Sequence, residues 1–226
     1  MPKKKLIRFE DIKTMDWVVE PTMEEIKNKQ FPLKGKWAKE IFKNDSPIVL
    51  ELGCGKGEYA VGMGRKFPDK NFLGVDIKGA RIWYGANTVR EEKMSNVAFL
   101  RTRIDFIESF FAPNEISEIW LTFSDPQPRK PRKRLTSKLF IDRYRKFLKP
   151  GGIVHLKTDS SWLFASTLEQ IDEHQYELIS KSWDLYGELV ENLDVDTREI
   201  LEIKTHYEQI FSEKGHDIKY VKFRIN

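Results

Sequence analysis

IVLELGCGKGEYAVGMGRKF, residues 48–67, decides the fold. Ile48 to Leu52 is a short apolar run closed by glycines, the pattern of a strand buried on both faces. Gly53, Gly55 and Gly57 permit a tight turn and let another molecule approach the backbone. The next ten residues have helical spacing, so the turn opens onto a helix N-terminus with free N–H groups. The alternation continues outward from there. NFLGVDI (71–77), NVAFLR (96–101), EIWLTF (118–123) and GIVHLKT (152–158) read as strands, and KYVKFRI (219–225) alternates as a last one. Residues 79–93, 137–148 and 162–173 read as helices, the second stopped by Pro150 and Gly151. Trp37, Ile41 and Phe42 are spaced like one face of a short helix. Strands interleaved with helices predict an α/β fold, a mostly parallel twisted sheet with helices on both faces. Such a sheet binds ligands at the carboxyl ends of its strands, near the point where strand order reverses. The residues at the strand tips are therefore the candidates for function.

The bulk properties bound the rest. The chain has 226 residues, 40% hydrophobic and 33% charged, a globular balance. Residues 1–30 are mixed and charged without a clean period and read as an extension, partly mobile until a partner binds. Residues 31–226 read as the main folded domain. Lysine and arginine number 39 against 35 acids, a net charge of +4 too mild to argue for nucleic acid by itself. The single cysteine, Cys54, fits a reducing cytoplasm. No apolar stretch approaches the roughly 18 residues that span a bilayer, and no signal-peptide core follows the basic N-terminus, so no membrane partner is expected. The histidines 155, 174, 206 and 216 lack ligand spacing, and no metal is expected.

Each strand tip carries something polar. Glu51 precedes the glycines in ELGCGKG, a spacing that differs from the GxGxxG dinucleotide fingerprint and resembles the first motif of Rossmann-like methyltransferases. Their cofactor is a cation, which an acid suits; a plain glycine turn is the bland alternative. Asp76 ends the second strand, where a carboxylate can accept both hydroxyls of a ribose or simply cap the next helix. Asp105 follows the third and could accept from an adenine amino group or start a helix. The fourth strand runs into TFSDPQPRKPRKR, in which Pro126 holds Asp125 extended at the tip. Five of the six residues that follow Pro128, namely Arg129, Lys130, Arg132, Lys133 and Arg134, are basic, and the prolines favour a loop from which they splay. A charge run is usually a solvated face; next to a reaction centre it suits a phosphate backbone. Asp159 ends the fifth strand. Thr205 and Glu208 have capping-box spacing, with Gly215 as a helix stop.

In this order the pieces resemble the bacterial single-chain tRNA (guanine-N7)-methyltransferase family. The resemblance rests on KGKW at Lys34, ELGCGKG at Glu51, GVDI around Asp76, FSDPQPRKPRKR after Phe123, HLKTD at Asp159 and THYE at Thr205, and covers the chain from about residue 34. It implies a Rossmann-like class I methyltransferase fold with an antiparallel C-terminal strand, and S-adenosylmethionine as cofactor. It implies cofactor contacts at Glu51, Gly53, Gly55, Asp76, Asp105 and Asp125, with Asp125 also catalytic or guanine-positioning. It places substrate contacts at Arg129, Asp159, Thr205, His206, Tyr207 and Glu208, and assigns the basic run to the tRNA backbone. The substrate is then a variable-loop guanosine. The chain departs from the family pattern at Gln127, usually tryptophan, and Pro131, usually histidine.

Three other functions fit parts of the pattern. A nicotinamide-dependent oxidoreductase conflicts with the glycine spacing and Glu51. A methyltransferase for another substrate leaves the basic run unexplained. A non-catalytic RNA binder leaves the acids at the strand tips unexplained. Whether the chain is a monomer or a homodimer stays open at this level.

Overall fold

The computed structural model describes residues 2–28, 31–188, 190, 193–205, 208 and 217–225. Its centre is the predicted unit: β2 (Ile48–Leu52), α3 (Glu58–Lys66), β3 (Asn71–Asp76), α4 (Gly79–Glu92) and β4 (Val97–Arg101). Every residue of β2 is buried, because β3 and β5 (Ile116–Thr122) flank it and helices cover both faces. The chain continues through a 3₁₀ turn (Ile104–Ser109), β5, a second 3₁₀ turn (Pro131–Lys133), α5 (Lys138–Tyr144), β6 (Leu148–Thr158) and α6 (Ser161–Glu173). It ends in β7 (Glu177–Ser182), α7 (Val195–Leu201) and β8 (Lys219–Arg224).

Among the described residues the sheet has the order β1-β4-β3-β2-β5-β6-β8-β7. β1 (Val18–Val19) to β6 run parallel, while β8 is antiparallel to both β6 and β7. From β2 the chain winds outward through β3 and β4, then returns to place β5 on the other side of β2. The switch point therefore falls between β2 and β5, and a crevice opens above their carboxyl ends. Two apolar layers close the faces of the sheet. One includes Leu50, Leu73, Phe111, Ile119 and Phe164; the other includes Tyr59, Phe72, Ile82, Phe99 and Trp120.

Two predicted boundaries move. The helix read over residues 137–148 ends at Tyr144, because Leu148 already pairs with Ile116 and a bulge carries the strand past Pro150 and Gly151. The face of Trp37, Ile41 and Phe42 lies on a turn of π-helix, Ala38–Phe42. The N-terminal segment has elements of its own, α1 (Pro2–Ile12) and α2 (Met23–Asn28). The Asp11 carboxylate accepts from Arg90 and from the Trp83 indole N–H on α4, and Ile12 and Met15 are buried. Val18 pairs with Phe99, which extends the sheet by one short strand.

Candidate active site

The turn after β2 is shaped by three left-handed glycines with different tasks. Gly53 (φ +83°) and Gly55 (φ +56°) have no close neighbour over the position of a side chain, so a cradle stands open there. At Gly57 (φ +73°), a Cβ would lie 2.6 Å from the Phe99 ring, so this glycine serves packing. Asp76 ties this turn to the one that follows β3: its carboxylate accepts from Gly55 N at 3.1 Å and from Lys78 N at 2.7 Å. One oxygen thus bonds each turn, and each retains capacity for a further donor.

Glu51 lies beneath this turn, only 2% exposed. Its carboxylate accepts from Thr122 Oγ1 and from Ala60 N in the first turns of α3. Burial pushes its pKa up to about 7, against the lowering effect of those two hydrogen bonds. A cationic ligand in the cradle would feel the Glu51 carboxylate from beneath the turn.

Asp76, Gly53, Asp105, Asp125, Lys130 and Lys133 line one open cleft of about 720 Å³ at the switch point. Thr102 lines it too, at the tip of β4. Its hydroxyl is buried and has no hydrogen-bond partner, an unmet polar group in the wall of the cleft. Sequence reading missed Thr102, since a lone threonine after a strand carries no pattern. Asp105 is already engaged: Lys133 and Arg103 bond its carboxylate, and the Lys133 bond foremost holds its pKa below the usual range. Asp125 is exposed, and one carboxylate oxygen accepts from Gln127 N at 2.9 Å. That bond uses the backbone of Gln127 (φ +46°), so the side chain that departs from the family pattern is not part of it.

The basic run does not simply splay from a loop. Pro131–Lys133 forms a 3₁₀ turn, Lys133 holds Asp105, and Arg134 is 9% exposed with its guanidinium stacked 3.6 Å from the Trp162 ring. The expectation that all five basic side chains splay from a loop is therefore corrected for Arg134, which packs against Trp162. Arg129, Lys130 and Arg132 are exposed.

The remaining predicted residues gather elsewhere, beyond the end of β6. Asp159 does not cap α6; Ser160 does, accepting from Leu163 N at 3.1 Å. Glu208 N donates to Thr205 Oγ1 at 3.2 Å, one half of the predicted capping box. The other half fails because the Glu208 carboxylate is fully buried in an ion pair with Lys157 at 2.8 Å, and Tyr186 also donates to it. Lys157 donates as well to the carbonyls of Leu201 (2.9 Å) and Ile203 (3.2 Å). Burial lowers its pKa to about 8 despite the carboxylate. His206 and Tyr207 lie outside the described residues. His155 stacks on Trp120 at 3.9 Å and bonds Tyr220 and Glu118, a core arrangement. Among the described residues, no cluster of three metal-ligating side chains occurs and no helix is long and apolar enough to cross a membrane.

Known structures share this architecture. A 16S rRNA methyltransferase superposes with a TM-score of 0.60 at 13% identity, covering 83% of this chain and 92% of that one. A geranyl diphosphate methyltransferase in complex with S-adenosylmethionine gives 0.50 at 16% identity, over 79% and 77%. A family model described as a putative methyltransferase matches residues 45–221, from just before β2 into β8. Fold and family model together thus define a class I methyltransferase. The tRNA (guanine-N(7)-)-methyltransferase of Bacteroides thetaiotaomicron is 54% identical over 226 residues, covering 100% of this chain and 87% of the relative. That of Christiangramia forsetii is 48% identical over 225 residues, 99% and 98% of the two chains. The chain belongs to the tRNA (guanine-N(7)-)-methyltransferase family, which sets aside the nicotinamide-dependent reading.

Proposed function

We propose that this protein methylates N7 of a variable-loop guanosine in tRNA, giving 7-methylguanosine, and that it does so in the cytoplasm. One observation carries the reading: Asp125 stands in the same cleft as the glycine cradle, Asp76 and the cationic rim of Lys130 and Lys133. The residues fit the cofactor. Gly53 and Gly55 leave backbone room for it, Asp76 offers acceptors to a ribose, and the unpartnered Thr102 hydroxyl or Asp105 suits an adenine edge. S-adenosylmethionine supplies a methyl carbon on a sulfonium, and the N7–carbon bond forms as the carbon–sulfur bond breaks.

Guanine N7 carries an exposed lone pair, so no strong base is required. The protein's task is alignment and charge. The guanine ring gains positive charge as it reacts, and the exposed Asp125 carboxylate, with one oxygen left free by Gln127, stabilises it and accepts from the ring edge. N7 faces the deep major groove of an RNA helix, which side chains reach poorly, so the target enters from a loop or is extruded. Arg129 and Asp159 are assigned to the substrate side. Thr205 and Glu208 belong there as a segment, with Lys157 anchoring it.

The test uses unmodified tRNA and methyl-labelled cofactor, with wild type and Asp125→Ala in parallel and the labelled nucleoside identified after digestion. Label in 7-methylguanosine, reduced at least about 100-fold in the variant, is expected. Label in any other nucleoside overturns the site assignment.

A further inference from the structure

A groove of about 640 Å³ runs between α3 and α4, away from the cofactor cleft. Lys56 and Gly57 of the glycine turn line it, and so does Lys204, the neighbour of Thr205. The groove therefore borders both the cofactor cradle and the segment assigned to substrate. Among the described residues its wall holds three cations, Lys56, Arg65 and Lys204, against one acid, Glu58. Arg65 is paired with Glu92. The other cations rest on rings. Lys56 lies 5.6 Å from the centre of the Tyr84 ring, and Lys204 lies 4.6 Å from that of Tyr186. Arg8, on α1, lies over the same Tyr84 at 4.4 Å and over Trp83 at 5.0 Å. Arg8, Lys56 and Lys204 form no ion pair among the described residues: Asp11, one turn from Arg8, is taken by Arg90 at 3.0 Å, and Glu202 lies 3.9 Å from Lys66. An aromatic ring holds a cation in place without cancelling its charge, so the field of these three groups stays open to an anion.

We propose that this groove is a separate contact surface for the tRNA, taking phosphates that flank the target nucleotide on the α3–α4 side. The inference rests on the tRNA reading above. Position and charge argue for a polynucleotide. α3 and α4 contribute Tyr59 and Ile82 to one apolar layer, while α5, which follows the basic run, contributes Phe140 and Ile141 to the other. Groove and basic run thus lie over opposite faces of the sheet, with the cofactor cleft at the edge between them. A polynucleotide that enters the cleft crosses that edge and leaves phosphates on both sides, whereas a small substrate needs no cations beyond the cleft. Lys56 and Lys204 supply point charges, and Arg8 adds a guanidinium fork beside the groove. Tyr84, itself 40% exposed, is a positioning residue: from α4 it holds Arg8 of α1 and Lys56 of the glycine turn together.

The test is the affinity of unmodified tRNA as a function of salt for wild type, Lys56→Gln, Lys204→Gln, the double variant, Tyr84→Leu and Tyr84→Phe. Lys149→Gln, at the far end of β6, is the control for a lysine outside the groove, and S-adenosylhomocysteine binding is the control for an intact fold. Loss of either groove lysine should reduce the slope of log K against log salt by about 0.7 to 0.9, the value of one phosphate, and weaken binding about five- to eightfold at about 0.1 M salt. The double variant should lose about twice that slope. Tyr84→Leu should weaken binding, while Tyr84→Phe, which keeps the ring, and Lys149→Gln should match wild type. S-adenosylhomocysteine affinity should be unchanged in the lysine variants. Wild-type slope and affinity in the double variant overturn the proposal. An equal loss in Lys149→Gln overturns it too, because the effect would then be one of net charge alone. If the Lys56 variants fail to bind S-adenosylhomocysteine, Lys204→Gln decides by the same criterion. Wild-type protein that binds no tRNA would instead overturn the substrate reading, a separate result.

Discussion

Replacing Glu51 by glutamine should make the cofactor-free protein more stable at alkaline pH and a worse enzyme. The Glu51 carboxylate is buried under the glycine turn, and burial raises its pKa from 4.5 to about 7. A shift of that size corresponds to about 3 kcal/mol between its two protonation states. The sign follows from linkage. The folded protein holds this proton more tightly than the unfolded chain, so the contribution is fully present below pH 4.5 and is lost as pH rises through about 7. Above that, wild type bears the whole cost of a buried charge, whereas an amide of the same shape bears none. Thr122 and Ala60 can still bond the glutamine side chain. Urea unfolding of the cofactor-free proteins between pH 4.5 and 8.5 measures the difference, and other titrating groups cancel between them. We expect the variant's advantage to grow from near zero to about 3 kcal/mol across that range. In parallel, affinity for the cationic cofactor should rise with pH in wild type and stay flat in the variant. A stability difference independent of pH would refute the reasoning.

Other substitutions separate the parts of the site. Asp76→Ala should weaken S-adenosylmethionine binding at least about tenfold by untying the turns after β2 and β3 and removing the ribose acceptors, as read by calorimetry, with tRNA affinity within twofold of wild type. Gly57→Ala should cost about 2 kcal/mol or more, since it combines a positive φ with a Cβ 2.6 Å from Phe99; a melting temperature within a degree of wild type would contradict the packing role. Lys157→Met should destabilise by about 3 kcal/mol by leaving Glu208 buried and unpaired. In Lys157→Met/Glu208→Leu much of that stability should return without the activity, as denaturant titration beside a methylation assay would reveal.

The strands that build the switch point were legible because each is an apolar run ended by glycine or an acid. β1 and β7 were not. The first has two residues, and the second, ELISKS, is an edge strand that buries Ser180 and Ser182 and exposes Leu178, so neither presents a buried apolar run. The acids at the strand tips could be read because topology alone brings tips together. Thr102, Lys157 and the Trp162–Arg134 stack could not, since each owes its role to partners distant in the chain. Lys157 alternates out of an ordinary strand pattern, and only the folded chain shows that it meets Glu208, 51 residues later. The same blindness made the basic run read as five side chains splaying from a loop, when Arg134 packs on Trp162 and Lys133 pairs with Asp105.

On the proposed tRNA reading, the bond between Lys133 and Asp105 joins the rim assigned to RNA to the wall assigned to the nucleoside end of the cleft. A donor that takes Asp105 releases a cation toward the backbone of the incoming strand, and a phosphate that takes Lys133 releases an acceptor toward the nucleoside. On that reading cofactor and RNA should be heterotropic partners, each tightening the other by the same factor whichever arrives first. Cofactor affinity measured with and without tRNA gives that factor, and Lys133→Ala should bring it to one.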